Sequence, residues 1–345
     1  MKYLNDSADI KCPVCLNETG FLLYEVDSDQ ASQHFAKKEV DKIRHAHLKT
    51  KIENLWRNQK CKIVCCNKCN FVFAEPYTSG DAEFYKLSLP GITNYPKVKW
   101  EYNITREALK TILTSTSIKL LEIGAGNGAF IDLISDLIKV KDVTTTEYSL
   151  SGLKSMHNKG ITALNTDVRN LNEKYANYFD VICMFQVLEH LDNLDVLFKK
   201  INEISKKNAS LFIAVPNEDK IEFNEINGAL LDMPPNHIGR WNKTAFNIFA
   251  QKYGWKIMGY TKEQFSLLKD LKLFVIYRYL QSSQMHNSIP NYIEQVKLKQ
   301  LKMFFELAYI FFIMLTSLIP IIKMWNQNIG DSQWIHLVKD IPQSE

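Results

Sequence analysis

The chain has 345 residues, of which 46% are hydrophobic and 23% charged, enough apolar material for a packed core and too much for general disorder. Its length suits one large α/β domain with an appendage, or two domains. A formal net charge of only +4 lacks the basic bias of a nucleic-acid binder, so no nucleic-acid partner is expected. The first residues, Met1-Lys2-Tyr3-Leu4-Asn5-Asp6-Ser7, show neither the basic start nor the apolar run of a secretory signal. Together with seven cysteines, an odd number gathered in knuckles, this leads us to expect metal ligation in a reducing, cytoplasmic compartment rather than disulfides.

In chain order, residues 8–80 carry the knuckles. Cys12-Pro13-Val14-Cys15 and Cys66-Asn67-Lys68-Cys69 are two C-x-x-C pairs, which together supply the four thiolates of a closed, structural zinc site. Cys61 and Cys65 form a further spaced pair, but only Cys66 and Cys69 repeat the spacing of the first knuckle. The stretch between the knuckles, Gln30 to Gln59, is polar, charged and free of Pro and Gly, and predicts a helix. From Ile118 short apolar runs alternate with amphipathic stretches. Strands are expected at Ile118–Ile123, Asp142–Glu147, Ile161–Asn165, Phe179–Phe185, Ser210–Val215, Lys256–Tyr260 and Ser332–Lys339. Helices are expected at Ala129–Lys139, Ser149–Asn158, Leu194–Ser205 and Lys243–Tyr253. Such alternation implies a parallel sheet with helices on both faces, which binds ligands at the carboxyl ends of its strands.

The run Glu122-Ile123-Gly124-Ala125-Gly126-Asn127-Gly128-Ala129 is a strand end, a glycine-rich turn and a helix start. Glycines there allow a sharp turn and a close ligand approach. Gly124, Gly126 and Ala129 satisfy the dinucleotide fingerprint, and Glu147 lies near the distance of its ribose-binding acid. Against a dinucleotide stands Glu122, an acid that would repel a pyrophosphate but suits a ligand bearing an amino group and a sulfonium. Gly128 adds a third glycine at G-x-G-x-G spacing. Asp167 closes the third strand, and Phe185-Gln186-Val187-Leu188-Glu189-His190-Leu191 closes the fourth.

Glu122-Ile123-Gly124-Ala125-Gly126-Asn127-Gly128, followed by Val187-Leu188-Glu189-His190-Leu191, resembles the class I S-adenosylmethionine-dependent methyltransferases over about residues 100–262 and the final strand. The resemblance implies an α/β fold with a Rossmann-like, doubly wound, seven-stranded sheet and S-adenosylmethionine as cofactor. It implies that Glu122, Gly124, Ala125, Gly126 and Gly128 pass the methionine part of the cofactor. Glu147 would bind the ribose hydroxyls, Asp167 with Val168 would meet the adenine, and Gln186 would lie along the methionine tail. The segment Cys66 to Pro76 resembles the zinc ribbon that precedes the catalytic domain in bacterial sugar and natural-product methyltransferases. In that group a histidine after the fifth strand acts as general base, and His237 matches it, although Asn236 stands where the group has glutamate and Met233-Pro234 does not supply its tyrosine. The deoxysugar C-methyltransferases in that group have a long third domain that this sequence lacks, which counts against C-methylation of a ketosugar, and transfer to oxygen is expected. Imidazole can take a hydroxyl proton near neutral pH, while His190 competes for the same role.

The expected organisation is a zinc-ribbon module at 1–80, a methyltransferase domain at 81–262 and 329–345, and an apolar and basic helical insertion at 263–328. Leu307 to Ile322 is an uncharged run of sixteen residues, just short of a bilayer span of roughly 17–25. A single crossing would put the last strand on the wrong side. Between Thr261 and Trp325 eight Lys or Arg face four Asp or Glu, a local net of +4, which suits an anionic membrane surface. The insertion is therefore expected to be a lid or a peripheral membrane element. The expected activity is methyl transfer to a hydroxyl of a sugar or surface-polysaccharide precursor. The alternatives are an NAD-dependent oxidoreductase and a zinc-ribbon interaction protein with a non-catalytic cofactor fold.

Overall fold

The computed structural model describes residues 4, 6–88, 98–113, 118–227, 232–284 and 287–340. The reading of Met1 to Tyr3 and Asn5, and the last five residues of the expected 329–345 segment, lie outside them.

The N-terminal part is an antiparallel sheet of β1 (Asp6–Asp9), β2 (Thr19–Asp27), β3 (Lys60–Cys66) and β4 (Val72–Glu75). Between β2 and β3 the chain makes α1 (Ser28–Phe35) and α2 (Lys42–Trp56), two helices where the sequence predicts one over Gln30–Gln59. The break has a local cause. Asp41 takes the N-cap of α2, its carboxylate accepting from the Arg44 amide at 3.0 Å, and Ala36 leaves helical backbone at the end of α1. The Arg44 guanidinium holds the corner by donating to the carbonyls of Phe35, Leu87 and Ser88.

After α3 (Ala82–Ser88) and α4 (Trp100–Ile112), the chain builds the seven-stranded sheet. Its members are β5 (Leu120–Ile123), β6 (Val143–Thr146), β7 (Thr162–Leu164), β8 (Phe179–Phe185), β9 (Ser205–Pro216), β11 (Trp255–Lys262) and β12 (Ser332–Lys339). Their order is β11-β12-β9-β8-β5-β6-β7, parallel except for β12, which runs antiparallel to both neighbours. The order reverses between β5 and β8, and that switch point opens a crevice at the strand ends. Intervening helices are α5 (Ala129–Leu133), α6 (Leu150–Asn158), α7 (Leu194–Ile204), α8 (Glu218–Ile226) and α9 (Lys243–Tyr253). α5 is shorter than the expected Ala129–Lys139. Ser135 donates its hydroxyl to the Asp132 carbonyl, and the Ile134 amide is shared between the Phe130 and Ile131 carbonyls, so the α-helical ladder tightens into turns.

A short strand, β10 (Gly239–Arg240), leaves the part built on the seven-stranded sheet and pairs with β4, completing a five-stranded N-terminal sheet. One hydrophobic core then runs through both sheets, joining Val64, Phe71 and Phe73 to Ile182, Trp241 and Phe246. Arg240 is buried and bridges the parts further. It donates to both oxygens of Glu225 on α8 and to the Tyr24 hydroxyl on β2.

The insertion comprises α10 (Leu267–Gln284), α11 (Ile289–Glu294), α12 (Lys299–Thr316) and α13 (Leu318–Asn326). It leaves and rejoins the sheet at one place: the Gly330 amide donates to the Glu263 carbonyl at 3.1 Å, and the Glu263 amide to that of Ser332 at 2.8 Å. Phe274, Ile321 and Met324 pack on Phe223, and the buried Lys220 ammonium meets Asp270 at 2.7 Å. No single helix among the described residues is long and apolar enough to cross a membrane, though α12 and α13 together, bent by 43°, have the length and composition.

Candidate active site

The glycine turn after β5 is built from three left-handed residues, Gly124 (φ 71°), Gly126 (φ 56°) and Gly128 (φ 77°). A side chain at Gly124 would lie 2.5 Å from a Val187 methyl carbon, in the loop after β8. Gly152 performs a related service in α6, where a Cβ would lie 2.4 Å from the Gly126 carbonyl oxygen. The turn is thus clamped between β6–α6 and the β8 loop. Glu147 ties it down: one carboxylate oxygen accepts from the Gly126 amide at 2.8 Å, the other from the amides of Tyr148 and Ser149.

Glu122 lies on β5, two residues before the turn. It is buried, one of its carboxylate oxygens has no hydrogen-bond partner, and desolvation pushes its pKa up to about 8. Gln186 adopts left-handed backbone and donates its amide to Glu101 and to the Ser332 hydroxyl. Asp167 caps the turn that contains the buried Val168, and both its oxygens are gripped by the Arg169 guanidinium, at 2.6 and 2.8 Å. Burial raises the Asp167 pKa, but the bonds from Arg169 outweigh it and leave the carboxyl below its usual range. The Tyr148 hydroxyl links this group to the rest, donating to Asp167 at 3.3 Å. Glu122, the glycine turn and Glu147 therefore form one connected group. Asp167 and Val168 stand beside it through Tyr148, and Gln186 through its neighbour Val187.

A second wall, built on the loop that follows β8, holds His237. The Asp232 carboxylate bonds its Nδ1 at 2.6 Å. Burial opposes charge on this imidazole, yet the Asp232 bond prevails and raises its pKa above 6.5. The His190 ring lies 4.7 Å away, centroid to centroid, and its Nδ1 donates to the Asn236 carbonyl at 2.8 Å. Next to it Glu189 is 1% exposed, with neither carboxylate oxygen hydrogen-bonded and a pKa raised by burial to about 7. The loop carrying His237 is pinned by backbone bonds from Ala74 to Ile238, Gly80 to Pro235 and Ile238 to Glu189. Sequence reasoning missed Asp232 as the partner of His237. Its only signal was an acid five residues upstream across Pro234-Pro235, whereas the resemblance directed attention to the adjacent Asn236. Glu189 was noticed only as part of a motif.

The four knuckle cysteines converge as expected. Their sulfurs lie within 4.8 Å of one another, with Cys12–Cys69 at 3.6 Å and Cys15–Cys66 at 3.5 Å. Four thiolates at about 2.3 Å from a tetrahedral ion stand about 3.8 Å apart, so this set could hold one metal ion. Cys61 and Cys65 lie outside the cluster.

Residues 98–258 match the family model described as a methyltransferase domain, and the match takes in the glycine turn, Glu147, Asp167 and His237. This chain carries a methyltransferase domain. The assignment separates the glycine turn from the dinucleotide folds that share part of its fingerprint. No curated protein matches the methyltransferase. Solved structures similar to it include a methyltransferase from Archaeoglobus fulgidus (15% identity, 69% of this chain and 94% of that one, TM-score 0.42). A cyclopropane synthase from Mycobacterium tuberculosis (15%, 69% and 83%, 0.44) and a geranyl diphosphate C-methyltransferase from Streptomyces coelicolor (7%, 69% and 78%, 0.42) are similar too. The methyltransferase's own residues fit the cofactor: a turn of three left-handed glycines directly after a strand that carries a buried acid with an unpartnered oxygen. When bound, S-adenosylmethionine supplies an electrophilic methyl group on a sulfonium.

Proposed function

We propose that the methyltransferase acts on a hydroxyl of a sugar or surface-polysaccharide precursor, with His237 as general base. The observation that carries this reading is the Asp232–His237 pair. With the proton on Nδ1 held by the carboxylate, the Nε2 lone pair is free to accept a hydroxyl proton, and the resulting imidazolium is stabilised by the same contact. The sugar class rests on the likeness of the Cys66–Pro76 segment to the ribbons of sugar methyltransferases. In the cofactor half, Glu122 would face the cofactor's positive charges, Gly124 to Gly128 its methionine part, and Glu147 its ribose. Asp167, Val168 and Gln186 would border its adenine and tail. Displacement at the methyl carbon is in line, so holding the acceptor oxygen behind it supplies much of the rate.

Two supporting roles belong to this reading. Cys12, Cys15, Cys66 and Cys69 hold a structural Zn2+, supported by sulfur spacings near those of a tetrahedral site. The insertion rests peripherally on the cytoplasmic membrane face, supported by the exposed Phe304, Phe311, Phe312, Ile319, Ile322 and Trp325 beside Lys299, Lys302 and Lys323.

The test is transfer of radiolabelled methyl to nucleotide sugars and lipid-linked glycans. His237→Ala should lower kcat by roughly 10²–10⁴-fold while cofactor affinity, read by calorimetry, stays unchanged. Full turnover in that variant would remove His237 from the reaction.

A further inference from the structure

Among the described residues, one further group of metal-ligating side chains lies outside the cysteines: Glu189, His190 and His237. Each offers one ligand atom, and the three atoms lie within 4.8 Å of one another. Their tautomers follow from their partners. A carbonyl only accepts, so the His190 Nδ1 that meets Asn236 at 2.8 Å carries a proton and Nε2 carries the lone pair. The Asp232 carboxylate imposes the same tautomer on His237. Both imidazoles therefore present Nε2 as a donor while the far nitrogen is fixed by a carbonyl or carboxylate, the arrangement that orients histidine ligands on metals. Glu189 is 1% exposed with both oxygens unpartnered. A buried carboxylate left so is costly, and such groups are paired or coordinate metals. The Glu189 Oε1 to His190 Nε2 distance, 3.7 Å, is too long for a hydrogen bond. Two ligands each about 2.1 Å from one ion stand about 3.0–3.4 Å apart, so a small closing movement suffices.

We propose that Glu189, His190 and His237 bind one divalent transition-metal ion, with Asp232 and the Asn236 carbonyl orienting the imidazoles. Two histidines and one carboxylate leave coordination positions open, and this ligand set suits Mn2+, Fe2+ or Co2+, unlike the all-thiolate cluster of the N-terminal sheet. The open positions take an oxygen donor of the acceptor and hold it by coordination. That role rests on the reading of this wall as the acceptor end; the ion's binding does not. With the ion seated, the His237 Nε2 is a ligand, so direct proton acceptance by His237 belongs to the metal-free enzyme.

The experiment uses the full chain, loaded with zinc and then titrated with Mn2+ alone while electron paramagnetic resonance reads the free ion. Wild type should take up one Mn2+ per chain. Glu189→Gln and His190→Gln should weaken uptake by about tenfold or more, and Asp232→Asn by roughly 10–100-fold, with circular dichroism melts confirming folding. Should the variants not fold, Co2+ added to wild type decides: d–d bands without a thiolate charge-transfer band support the site, and their absence refutes it. Absence of Mn2+ uptake by wild type, or uptake unchanged in both ligand variants, overturns the proposal. If that happens while His237→Ala still loses turnover, the general-base reading stands alone. If Mn2+ binds but His237→Ala turns over fully, the ion site stands and the acceptor reading of this wall fails.

Discussion

Glu122 sits in the crevice as a protonated acid at neutral pH, because burial holds its pKa at about 8, well above 4.5. If Glu122 faces the positive charge of S-adenosylmethionine, as proposed, binding favours the carboxylate and below pH 8 must expel a proton. The sign follows: affinity rises with pH toward about 8, by at most about tenfold per unit, and levels above it. Calorimetry at pH 7 in two buffers of different ionisation heat should detect the released proton. Glu122→Gln should abolish the buffer dependence; an unchanged dependence would exclude Glu122 as its source. The place of Glu122 on β5 was legible in the sequence because it is local, an acid two residues before a glycine turn. Asp232 was not, because its bond to His237 depends on how the 232–238 loop closes between Ala74 and Glu189. No spacing rule specifies that closure.

At the scale of elements, legibility tracked the strength of end signals. α9 lies exactly over the expected Lys243–Tyr253, with Asn242 accepting from the Ala245 amide at one end and Gly254 in left-handed backbone at the other. β8 and β12 match their expected spans for a similar reason, being apolar runs with clear borders. β9 starts five residues earlier than Ser210, since the polar Lys206-Lys207-Asn208 resembles a loop yet follows Ser205, which pairs with Phe179. β10, two residues long, offers no periodicity at all. It nevertheless carries Arg240, buried against Glu225 and Tyr24. Removing the guanidinium would strip the buried Glu225 carboxylate of its bonds from Arg240, so Arg240→Met should cost roughly 3–5 kcal/mol in urea unfolding. A loss below about 1 kcal/mol, the range of exposed pairs, would show that the pair contributes little.

On the scale of the whole molecule, the exposed face of α12 and α13 and the cysteine cluster each make a prediction. The protein should float with anionic liposomes at low salt and less so at high salt. Phe311→Glu combined with Ile319→Glu should abolish flotation, and a wild type that stays in solution would assign the insertion to a lid. Metal analysis should find zinc, and a strong chelator or Cys12→Ser should lower the melting temperature while leaving the calorimetric affinity for S-adenosylmethionine within about twofold, since the glycine turn lies on the other sheet. Zinc-free protein with an unshifted melt would refute the structural role. The layered α/β order was legible from alternating apolar runs. The union of the two sheets was not, because it depends on a single excursion of the chain.

That excursion bears on how such a chain can be divided. A cut after residue 80 would look clean on the primary sequence, yet it would strip β10 of its neighbour β4 and leave the His237 loop tethered at one end. A chimera that exchanges only the N-terminal segment would meet the same mismatch, because Gly239–Arg240 must pair with whatever strand replaces Val72–Glu75. The transferable unit is discontinuous: the first eighty residues travel together with the loop that bears His237, the proposed acceptor-side histidine. Acceptor preference would then move between hosts with the cysteine module, and the glycine turn would stay behind as a common engine.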